Sequence, residues 1–319
     1  MAKKALITGI SGQDGSYLAK FLLDKKYIVF GTTRRKNKSN LKNLYKLNIY
    51  DSCKIFKCNL NNISEIRELI KKTKPDEIYH LSGASSVAES FKSPNNAYTS
   101  IVNSTINILE TIRDSKKNIK LFLASSGECY GNTGKKAVDE NTFFNPLSPY
   151  AVAKASAYFI AKNYRDAYNI YVASGILFSH ESPFRSENFV TQKIISNAIA
   201  ISRNKKKYFE LGSIDIYRDW GWAPEYIRAM YLIVQQKTPT DFIIASGKSY
   251  SLKEFVKLAF EYFNLDWKDH LIINNKFDRP LDLISNKGKT DKAKKILKWE
   301  STYSLKKIVH EMIEYKLKD

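Results

Sequence analysis

The glycine-rich sequence GISGQDG at residues 9–15 restricts the fold of this chain more than any other feature. It follows an apolar run at residues 5–8, typical of a β-strand, and precedes residues 16–24, where apolar side chains recur at helical spacing. Three glycines at every third position permit a tight turn and let the backbone approach a pyrophosphate at the start of a helix. The unit therefore predicts a dinucleotide-binding site, with contacts from Gly9, Gly12, Gln13, Asp14 and Gly15.

The alternation of strand and helix patterns continues through the first half of the chain. Strands are predicted at residues 27–33, 55–58, 77–81, 121–125 and 171–178, and helices at residues 63–72, 98–114 and 150–168. Such alternation predicts a parallel sheet with helices on both faces, because parallel strands need crossover connections. We therefore expect an α/β chain with a Rossmann-type, doubly wound parallel sheet.

The pattern becomes less regular after about residue 180. The remaining helices are predicted at residues 188–204, 224–236, 251–263 and 304–316, the third of which starts at a Ser–x–x–Glu capping box. We predict a cofactor-binding domain at residues 1–180, to which a strand and a helix return from about residues 213–245. Residues 181–319 are expected to form mainly a smaller, mixed α/β substrate lobe.

The 319 residues carry 52 Lys and Arg against 32 Asp and Glu, a formal net charge of +20. Because these lysines are spread along the chain, we expect no nucleic-acid site, and the positive field would instead attract a dianionic diphosphate. Cys53, Cys58 and Cys129 have no CxxC spacing and the histidines are scattered, so we expect neither disulfides nor a metal site. Since no segment resembles a membrane span or a signal peptide, we expect a cytoplasmic protein.

The sequence at the end of the second predicted strand bears on the choice of cofactor. NAD-selective sites place an acidic residue there, on the ribose 2′-hydroxyl, whereas this chain has Arg34 and Arg35. Two guanidinium groups suit a 2′-phosphate, so we expect NADP rather than NAD, unless both arginines merely belong to an exposed basic run. Further cofactor contacts are expected after the third and fourth strands, from Asn59, Leu60, Leu81 and Ser82.

Tyr150 and Lys154 form a YxxxK pair at the start of the long predicted helix. Residues four apart share a helix face, and an ammonium group beside a phenol lowers the pKa of the tyrosine towards neutrality. Tyr150 is therefore a candidate base for a sugar hydroxyl whose carbon loses hydride. Ser126, at the end of the fifth strand, would hydrogen-bond the same hydroxyl. This Ser–Tyr–Lys set resembles that of the extended short-chain dehydrogenases/reductases.

Longer blocks of sequence resemble the GDP-mannose 4,6-dehydratase family, which includes GDP-manno-heptose 4,6-dehydratases. They are GISGQDGSYLAKFLL (9–23), SPYAVAKASAYFIAKNYRDAYN (148–169), GILFSHESPFR (175–185), NFVTQKI (188–194), RDWGWAPEYIRAM (218–230) and RPLDLI (279–284). The resemblance implies a lyase that converts GDP-D-mannose or GDP-D-glycero-D-manno-heptose to its 4-keto-6-deoxy product. It also implies transient oxidation of C4 by bound NADP, loss of water, and assembly as a homodimer or homotetramer.

Glu128 lies two residues beyond Ser126 in the sequence SSGECYG. If the backbone there is extended, alternate side chains face the same way, so both would point into a cleft near Tyr150. The resemblance implies that Glu128 removes the C5 proton and helps expel the C6 hydroxyl; the alternative is an exposed or structural glutamate. A GDP-sugar 4-dehydrogenase or epimerase needs no such acid, and that interpretation stays open, as does a non-catalytic protein that binds NADP or RNA.

The resemblance also implies substrate contacts in the C-terminal lobe. Nucleotide or diphosphate contacts are expected from Asn188, Lys193, Arg218 and Arg279, and sugar contacts from Ser86 and Glu181. Departures from the family pattern fall in the same lobe, where Phe184, Trp222 and Asp282 stand in place of a usual arginine, histidine and glutamate. These departures leave the choice between hexose and heptose open.

Overall fold

The computed structural model describes residues 2–134 and 136–318. Its strands, in chain order, are β1 (Lys4–Thr8), β2 (Ile28–Thr33), β3 (Lys54–Lys57), β4 (Glu77–His80), β5 (Lys120–Ser126), β6 (Val172–Leu177), β7 (Ser179–Glu181), β8 (Phe209–Leu211), β9 (Tyr217–Arg218), β10 (Trp220–Trp222), β11 (Phe242–Ile244), β12 (Tyr250–Ser251) and β13 (Leu271–Ile273). Its α-helices are α1 (Gln13–Asp24), α2 (Lys42–Lys46), α3 (Ile63–Thr73), α4 (Val87–Lys92), α5 (Pro94–Tyr98), α6 (Ser104–Ser115), α7 (Pro149–Tyr168), α8 (Val190–Ser202), α9 (Ala223–Val234), α10 (Leu252–Glu261) and α11 (Leu305–Lys318).

Seven strands form one parallel sheet in the order β3-β2-β1-β4-β5-β6-β11. The direction of winding reverses between β1 and β4, and doubly wound sheets bind ligands at such a point, beyond the carboxyl ends of the strands. The central strand β5 reads KLFLASS, a largely apolar run, as expected for a strand buried on both faces. The predicted Rossmann-type doubly wound fold is confirmed.

Helices cover both faces of this sheet. On one face α1 and α9 pack through residues such as Leu18 and Met230, and on the other α3, α6 and α7 pack through residues such as Ile66 and Ile108. Burial of each side chain of this size contributes about 2 kcal/mol. The packing therefore makes the sheet a firm support for the residues at its carboxyl edge.

A third core lies outside the sheet and is formed by the C-terminal part of the chain. Helices α8, α10 and α11 pack together through Ile195, Phe255 and Ile308, and strands β8 and β10 add Phe209 and Trp220. Two-stranded sheets pair β7 with β10, β9 with β12, and β8 with β13. Strand β11 returns to the large sheet beside β6, and α9 packs against one face of that sheet.

Several predicted elements have different bounds in the structure. Helix α1 begins at Gln13, so the last three residues of the glycine-rich sequence lie in its first turn. The helix predicted at residues 98–114 consists of a π-helical turn at Thr99–Asn103 followed by α6, and the short helix α5 precedes it. Helices α2 and α4 were not predicted, because five or six residues are too few for apolar periodicity to reveal.

The three cysteines are buried and free. Burial raises the pKa of all three thiols, which keeps them protonated at neutral pH. Within the described residues, no helix is both long and apolar enough to cross a membrane. The same part of the chain contains no group of three His, Cys, Asp or Glu side chains that could hold a metal ion.

Candidate active site

A cavity of about 900 Å³ lies at the carboxyl edge of the sheet, where the ends of β4, β5 and β6 meet the C-terminal lobe. Its walls combine hydroxyl, carboxylate, ammonium and guanidinium groups with aromatic side chains. Of the residues predicted from the sequence, those that line it are Asp14, Leu81, Ser86, Ser126, Glu128, Tyr150, Lys154, Glu181, Asn188, Lys193, Arg218 and Arg279. The predicted residues that lie outside its wall are Gly9, Gly12, Gln13, Gly15, Arg34, Arg35, Asn59, Leu60 and Ser82.

The glycine loop packs against α1 through contacts that exclude larger side chains. Gly9 has a positive φ of 75°, and a Cβ atom on Gly15 would lie only 2.3 Å from the carbonyl oxygen of Gly9. The first turn of α1 therefore sits directly on the loop, and Gly12 caps the helix without a side-chain hydrogen bond to its amides. A bare backbone at a helix start is what close approach of a pyrophosphate requires.

Gln13 and Asp14 form a buried network with the segment around β7. The Asp14 carboxylate lies 2.9 Å from Nε2 of His180, and Gln13 Nε2 donates to the His180 carbonyl. Burial raises the pKa of Asp14, but its pairing with His180 outweighs burial and lowers that pKa to about 2. Burial likewise would lower the pKa of His180, yet pairing with Asp14 raises it. His180 was not among the predicted site residues, although it lies in the block at residues 175–185 that carries the family resemblance.

The two predicted selectivity residues follow β2 on the surface. Arg34 and Arg35 are exposed. Their turn is held by Asn40, whose Nδ2 donates to Thr33 Oγ1 at 2.6 Å and to the Arg35 carbonyl at 2.8 Å. The carboxyl end of the second strand is where a dinucleotide-binding fold places the adenosine ribose. Both arginines therefore lie where the predicted role requires, and that role remains a prediction.

The predicted cofactor contacts after β3 and β4 lie at the same edge of the sheet. Thr8 Oγ1 accepts hydrogen bonds from the amides of Leu81 and Ser82, which ties the end of β4 to the end of β1. Beyond β3, Asn59 Oδ1 accepts a hydrogen bond from the amide two residues later, and Leu60 lies within that turn. These four residues share an edge with the glycine loop, and their contact with a cofactor stays a prediction.

Ser126 and Glu128 line the cavity, but the backbone that carries them has a different conformation from the one predicted. Ser126 is the last residue of β5, but Glu128 lies in a 3-10 turn at Gly127–Tyr130, so the prediction of an extended backbone there is wrong. Ser126 Oγ accepts a hydrogen bond from the Glu128 amide at 3.2 Å, which stabilises the turn. Both side chains still line the cavity, because this turn, rather than strand alternation, directs Glu128 inward.

Tyr150 and Lys154 both line the cavity from the first turns of α7, as their helical spacing predicts. The helix begins beside them because Ser148 Oγ caps it, accepting a hydrogen bond from the amide of Ala151. The Lys154 ammonium group donates to the carbonyl of Ala124 at 2.8 Å and lies 5.9 Å from the centre of the Tyr150 ring. Burial lowers the pKa of Lys154 to about 8.

The expected depression of the Tyr150 pKa is wrong for this structure. Burial raises the pKa of Tyr150 above its usual value, and the Ser126 hydroxyl and the Arg185 charge only partly offset burial. The physical reason is desolvation, since a phenolate anion loses its water in the cavity wall. The Lys154 ammonium group donates its hydrogen bond to the Ala124 carbonyl, and its charge does not outweigh the burial of the phenol.

Two arginines and a second acid surround Glu128. Arg218 Nε lies 3.9 Å from the Glu128 carboxylate, and Asp282 Oδ1 lies 3.0 Å from both Arg218 and Arg279. Burial raises the pKa of Glu128, the two arginines lower it, and the pKa stays above its usual value. A carboxylate of raised pKa is suited to remove a proton from carbon. The sequence analysis noted Asp282 only as a departure from the family pattern and missed its contact with both arginines.

The remaining predicted substrate residues have different surroundings. Glu181 is buried and accepts a hydrogen bond from Thr191 Oγ1 at 2.7 Å. Ser86 is the N-cap of α4. Both residues thus have structural partners in addition to their place on the cavity wall. Asn188 and Lys193 are exposed; Asn188 lies just before α8, and Lys193 lies near the start of that helix.

Comparison with solved structures identifies the class of fold. The crystal structure of a UDP-glucose 4-epimerase from Thermotoga maritima has a TM-score of 0.87 at 20% sequence identity, and the match covers 99% of both chains. That of a dTDP-glucose 4,6-dehydratase from Bacillus anthracis also has a TM-score of 0.87, at 21% identity, covering 100% of this chain and 97% of that chain. The chain therefore shares the Rossmann-type fold of these two proteins.

Sequence comparison narrows this class to one family. The sequence model described as GDP-mannose 4,6 dehydratase matches residues 6–312. GDP-mannose 4,6 dehydratase 1 of Arabidopsis thaliana is 39% identical over 322 residues, covering 98% of this chain and 89% of that protein. GDP-mannose 4,6-dehydratase of Vibrio cholerae is 38% identical, covering 100% of this chain and 95% of that protein. The chain belongs to the GDP-mannose 4,6 dehydratase family, which confirms the resemblance predicted from its sequence blocks.

Proposed function

We propose that this chain is a GDP-sugar 4,6-dehydratase, a hydro-lyase that converts GDP-D-mannose to its 4-keto-6-deoxy product. The observation that carries the proposal is one cavity lined by a phenol, a hydroxyl, a carboxylate and an ammonium group, those of Tyr150, Ser126, Glu128 and Lys154. Family membership supports it, because relatives from a plant, a bacterium and Homo sapiens are all named GDP-mannose 4,6-dehydratases.

The proposed reaction begins at C4 of the sugar. Tyr150 takes the proton of the C4 hydroxyl as the hydrogen on C4 leaves as hydride, which gives a ketone. Ser126 holds the same hydroxyl, and the charge of Lys154 opposes the burial that disfavours the phenolate. The backbone of Gly9, Gly12 and Gly15 would hold NADP, which would supply the hydride acceptor for C4 and the hydride donor for C6.

The ketone makes the C5 proton acidic, and Glu128 is the group that removes it. Glu128 then passes this proton to the departing C6 hydroxyl, so one water leaves and a double bond forms between C5 and C6. Hydride returns to C6, and Tyr150 gives its proton to C5, which restores both side chains. The net change is the loss of one water, with no net oxidation or reduction.

NADP is the cofactor that these residues fit best, with NAD as the alternative. The glycine loop offers a close backbone approach, because Gly12 caps α1 without a side chain and leaves the helix start bare. Arg34 and Arg35 add positive charge where an NAD-selective site has an acid. Parallel titrations of the cofactor-free protein with NADP and NAD test this choice, and tighter binding of NAD would contradict it.

We further propose that the two parts of the chain bind different ligands. Residues 1–180, with the returning segment 213–245, would bind the cofactor, and the rest of 181–319 would bind the GDP-sugar. Arg218 and Arg279 bring guanidinium groups to the cavity wall, where they can bind a diphosphate in bidentate fashion. GDP-D-glycero-D-manno-heptose has the same C4–C6 chemistry, so kcat/KM for both sugars decides which is preferred.

The mass of the product tests the proposed function. After incubation with GDP-D-mannose and NADP, a product lighter by one water is the expected result. An oxidised product that keeps its C6 oxygen would instead identify a GDP-sugar 4-dehydrogenase or epimerase. Absence of turnover together with salt-sensitive RNA binding would identify a non-catalytic protein.

Replacing Glu128 tests its role as the base at C5. We expect Glu128→Gln to keep hydrogen exchange at C4 but to lower product formation by about 10²- to 10⁴-fold, because general base catalysis is lost while the cavity keeps its shape. Isotope exchange and product mass measure the two steps separately. Glu187→Gln, at an exposed residue outside the cavity wall, is the matched control. Unchanged turnover of Glu128→Gln would contradict the assignment of Glu128 as the base at C5.

We also propose a homodimer or homotetramer in the cytoplasm. Val152 and Phe159, seven residues apart on α7, are 45% and 55% exposed, and Tyr98 at the end of α5 is 46% exposed. Helices α5 and α7 pack together, so these apolar side chains belong to one helical layer. Exposed apolar surface of this kind is typical of an interface with another chain. The three free thiols suit a reducing compartment.

A further inference from the structure

The side chain of Asn286 is a polar group on the cavity wall that the proposed chemistry does not use. Asn286 is only 2% exposed, yet its Oδ1 accepts no hydrogen bond from the described residues. It lines the same cavity as Glu128 and Tyr150. A buried polar group without a partner has lost its hydration and gained no hydrogen bond in exchange, which is unfavourable. A ligand in this cavity that completes the hydrogen bonding of Asn286 would supply that missing bond.

The backbone around Asn286 is held on both sides. The Asn286 carbonyl accepts a hydrogen bond from Ser249 Oγ at 3.2 Å. The amide of Val138 donates to the Lys287 carbonyl at 2.9 Å, and the Lys289 amide donates back to the Val138 carbonyl at 2.7 Å. These bonds fix the direction in which the side chain leaves the backbone. The carboxamide is therefore preorganised for a ligand, which reduces the entropy cost of binding.

The ring of Phe178 contacts the backbone near Asn286 and the backbone near Glu128. A Cβ on Gly127 would lie 2.9 Å from this ring and a Cβ on Gly288 would lie 3.0 Å from it, so both glycine backbones pack against one ring. Glu128 directly follows Gly127, and Asn286 precedes Gly288 by two residues. Glu128 and Asn286 therefore leave backbone segments that pack on the same ring, and both line the cavity.

A β-bridge between Tyr217 and Ser285 also places Asn286 near the Glu128 side of the cavity wall. Ser285 pairs with Tyr217, so the next residues along the two strands, Asn286 and Arg218, lie close together. Arg218 Nε is 3.9 Å from the Glu128 carboxylate. Asn286 therefore lies on the part of the cavity wall that carries Arg218, whose guanidinium group approaches Glu128.

We propose that Asn286 determines sugar specificity by hydrogen-bonding the C6 hydroxyl before that hydroxyl leaves. The inference rests on the proposed 4,6-dehydratase function. A carboxamide donates through Nδ2 and accepts through Oδ1, so a hydroxyl, which does both, complements it. A site built to hydrogen-bond a hydroxyl rejects an analogue that lacks it, because its own buried polar group then stays unpaired. Hexose and heptose substrates both satisfy Asn286, and 6-deoxy sugars do not.

The test is a double-mutant-type cycle of binding affinities. It combines removal of the Asn286 side chain with removal of the C6 hydroxyl of the sugar. Calorimetry would give Kd for GDP-D-mannose, GDP-6-deoxy-D-mannose and GDP, using NADP-loaded Tyr150→Phe protein, in which turnover is blocked. We expect this protein to bind GDP-D-mannose about tenfold more tightly than the 6-deoxy analogue. With Asn286→Leu added, the two sugars should bind equally, and GDP should bind as before.

Thermal unfolding of the ligand-free protein separates this role from a structural one. Asn286→Leu removes a buried unpaired oxygen and keeps the side-chain volume similar, so its Tm should stay the same or rise. Asn286→Ala provides a second variant in case leucine does not pack. Equal affinity of the Tyr150→Phe protein for both sugars would overturn the inference. So would a loss of affinity for GDP in Asn286→Leu as large as its loss of affinity for GDP-D-mannose. Failure of the proposed function is seen separately, as no loss of water from GDP-D-mannose with Tyr150 intact.

Discussion

At the scale of single residues, the ion pair between Asp14 and His180 makes stability depend on pH. The pKa of Asp14 is lowered from 3.8 to about 2, so its contribution is present above pH 3.8 and is lost as the pH falls towards 2. The pKa of His180 is raised from 6.5, so its contribution is complete below pH 6.5 and is lost as the pH rises through the folded-state pKa. The pair stabilises the protein most at weakly acidic pH.

Replacing His180 tests this pair. We expect His180→Gln to lower the free energy of unfolding at pH 5.5 by about 2 kcal/mol, because the Asp14 carboxylate stays buried without its partner. The loss should be smaller at alkaline pH, where His180 is neutral in the parent protein. Urea denaturation at both pH values measures it. His310→Gln, on α11, is the control, and equal pH dependence in the two variants would contradict the assignment.

At the scale of elements, local patterns predicted the sheet and one half of the site. Glycine spacing and apolar periodicity are local signals, and a helix fixes the relation of Tyr150 to Lys154. The position of Glu128 depends instead on a 3-10 turn whose Gly127 packs on the distant Phe178 ring. The place of Asn286 beside β9 depends on pairing between segments far apart in the chain. Such tertiary contacts leave no periodic trace in the sequence, so the turn at Glu128 and the place of Asn286 could not be predicted.

The close contact between α1 and the glycine loop gives a prediction about this element. A Cβ on Gly15 would meet only backbone atoms, at 2.3 and 2.7 Å, whereas a Cβ on Gly12 would meet just the Gly9 carbonyl oxygen at 3.4 Å. We expect Gly15→Ala to lower the free energy of unfolding by about 3 kcal/mol and Gly12→Ala by less than about 1 kcal/mol. Chemical denaturation of both variants checks this, and equal stabilities would contradict the packing described.

At the scale of the whole molecule, the two faces of α7 show why the subunit interface could not be predicted from the sequence. Its inner face is a stripe of small residues, Ala153, Ala157 and Ala161, which are almost fully buried. The larger Val152 and Phe159 lie outside. An amphipathic helix usually buries its larger apolar residues, so sequence alone could not indicate which face is covered by the sheet and which is left for another subunit.

Charge placed on the outer face of α7 tests the proposed assembly. We expect Phe159→Glu to weaken the dimer at least about tenfold, because a carboxylate would be buried in an apolar interface. Light scattering over a range of concentrations measures the molecular mass. Tyr208→Glu changes a side chain that is 45% exposed elsewhere on the surface and serves as the control. An unchanged mass for Phe159→Glu at all concentrations would exclude α7 as the interface.

The two outermost strands of the large sheet are both short, with four residues in β3 and three in β11. The first of them, KIFK, begins and ends with a lysine. Open strand edges are the usual starting points for fibril growth, and brevity and lysine charge both oppose it. Purified material held at high concentration should therefore remain free of amyloid-like deposits.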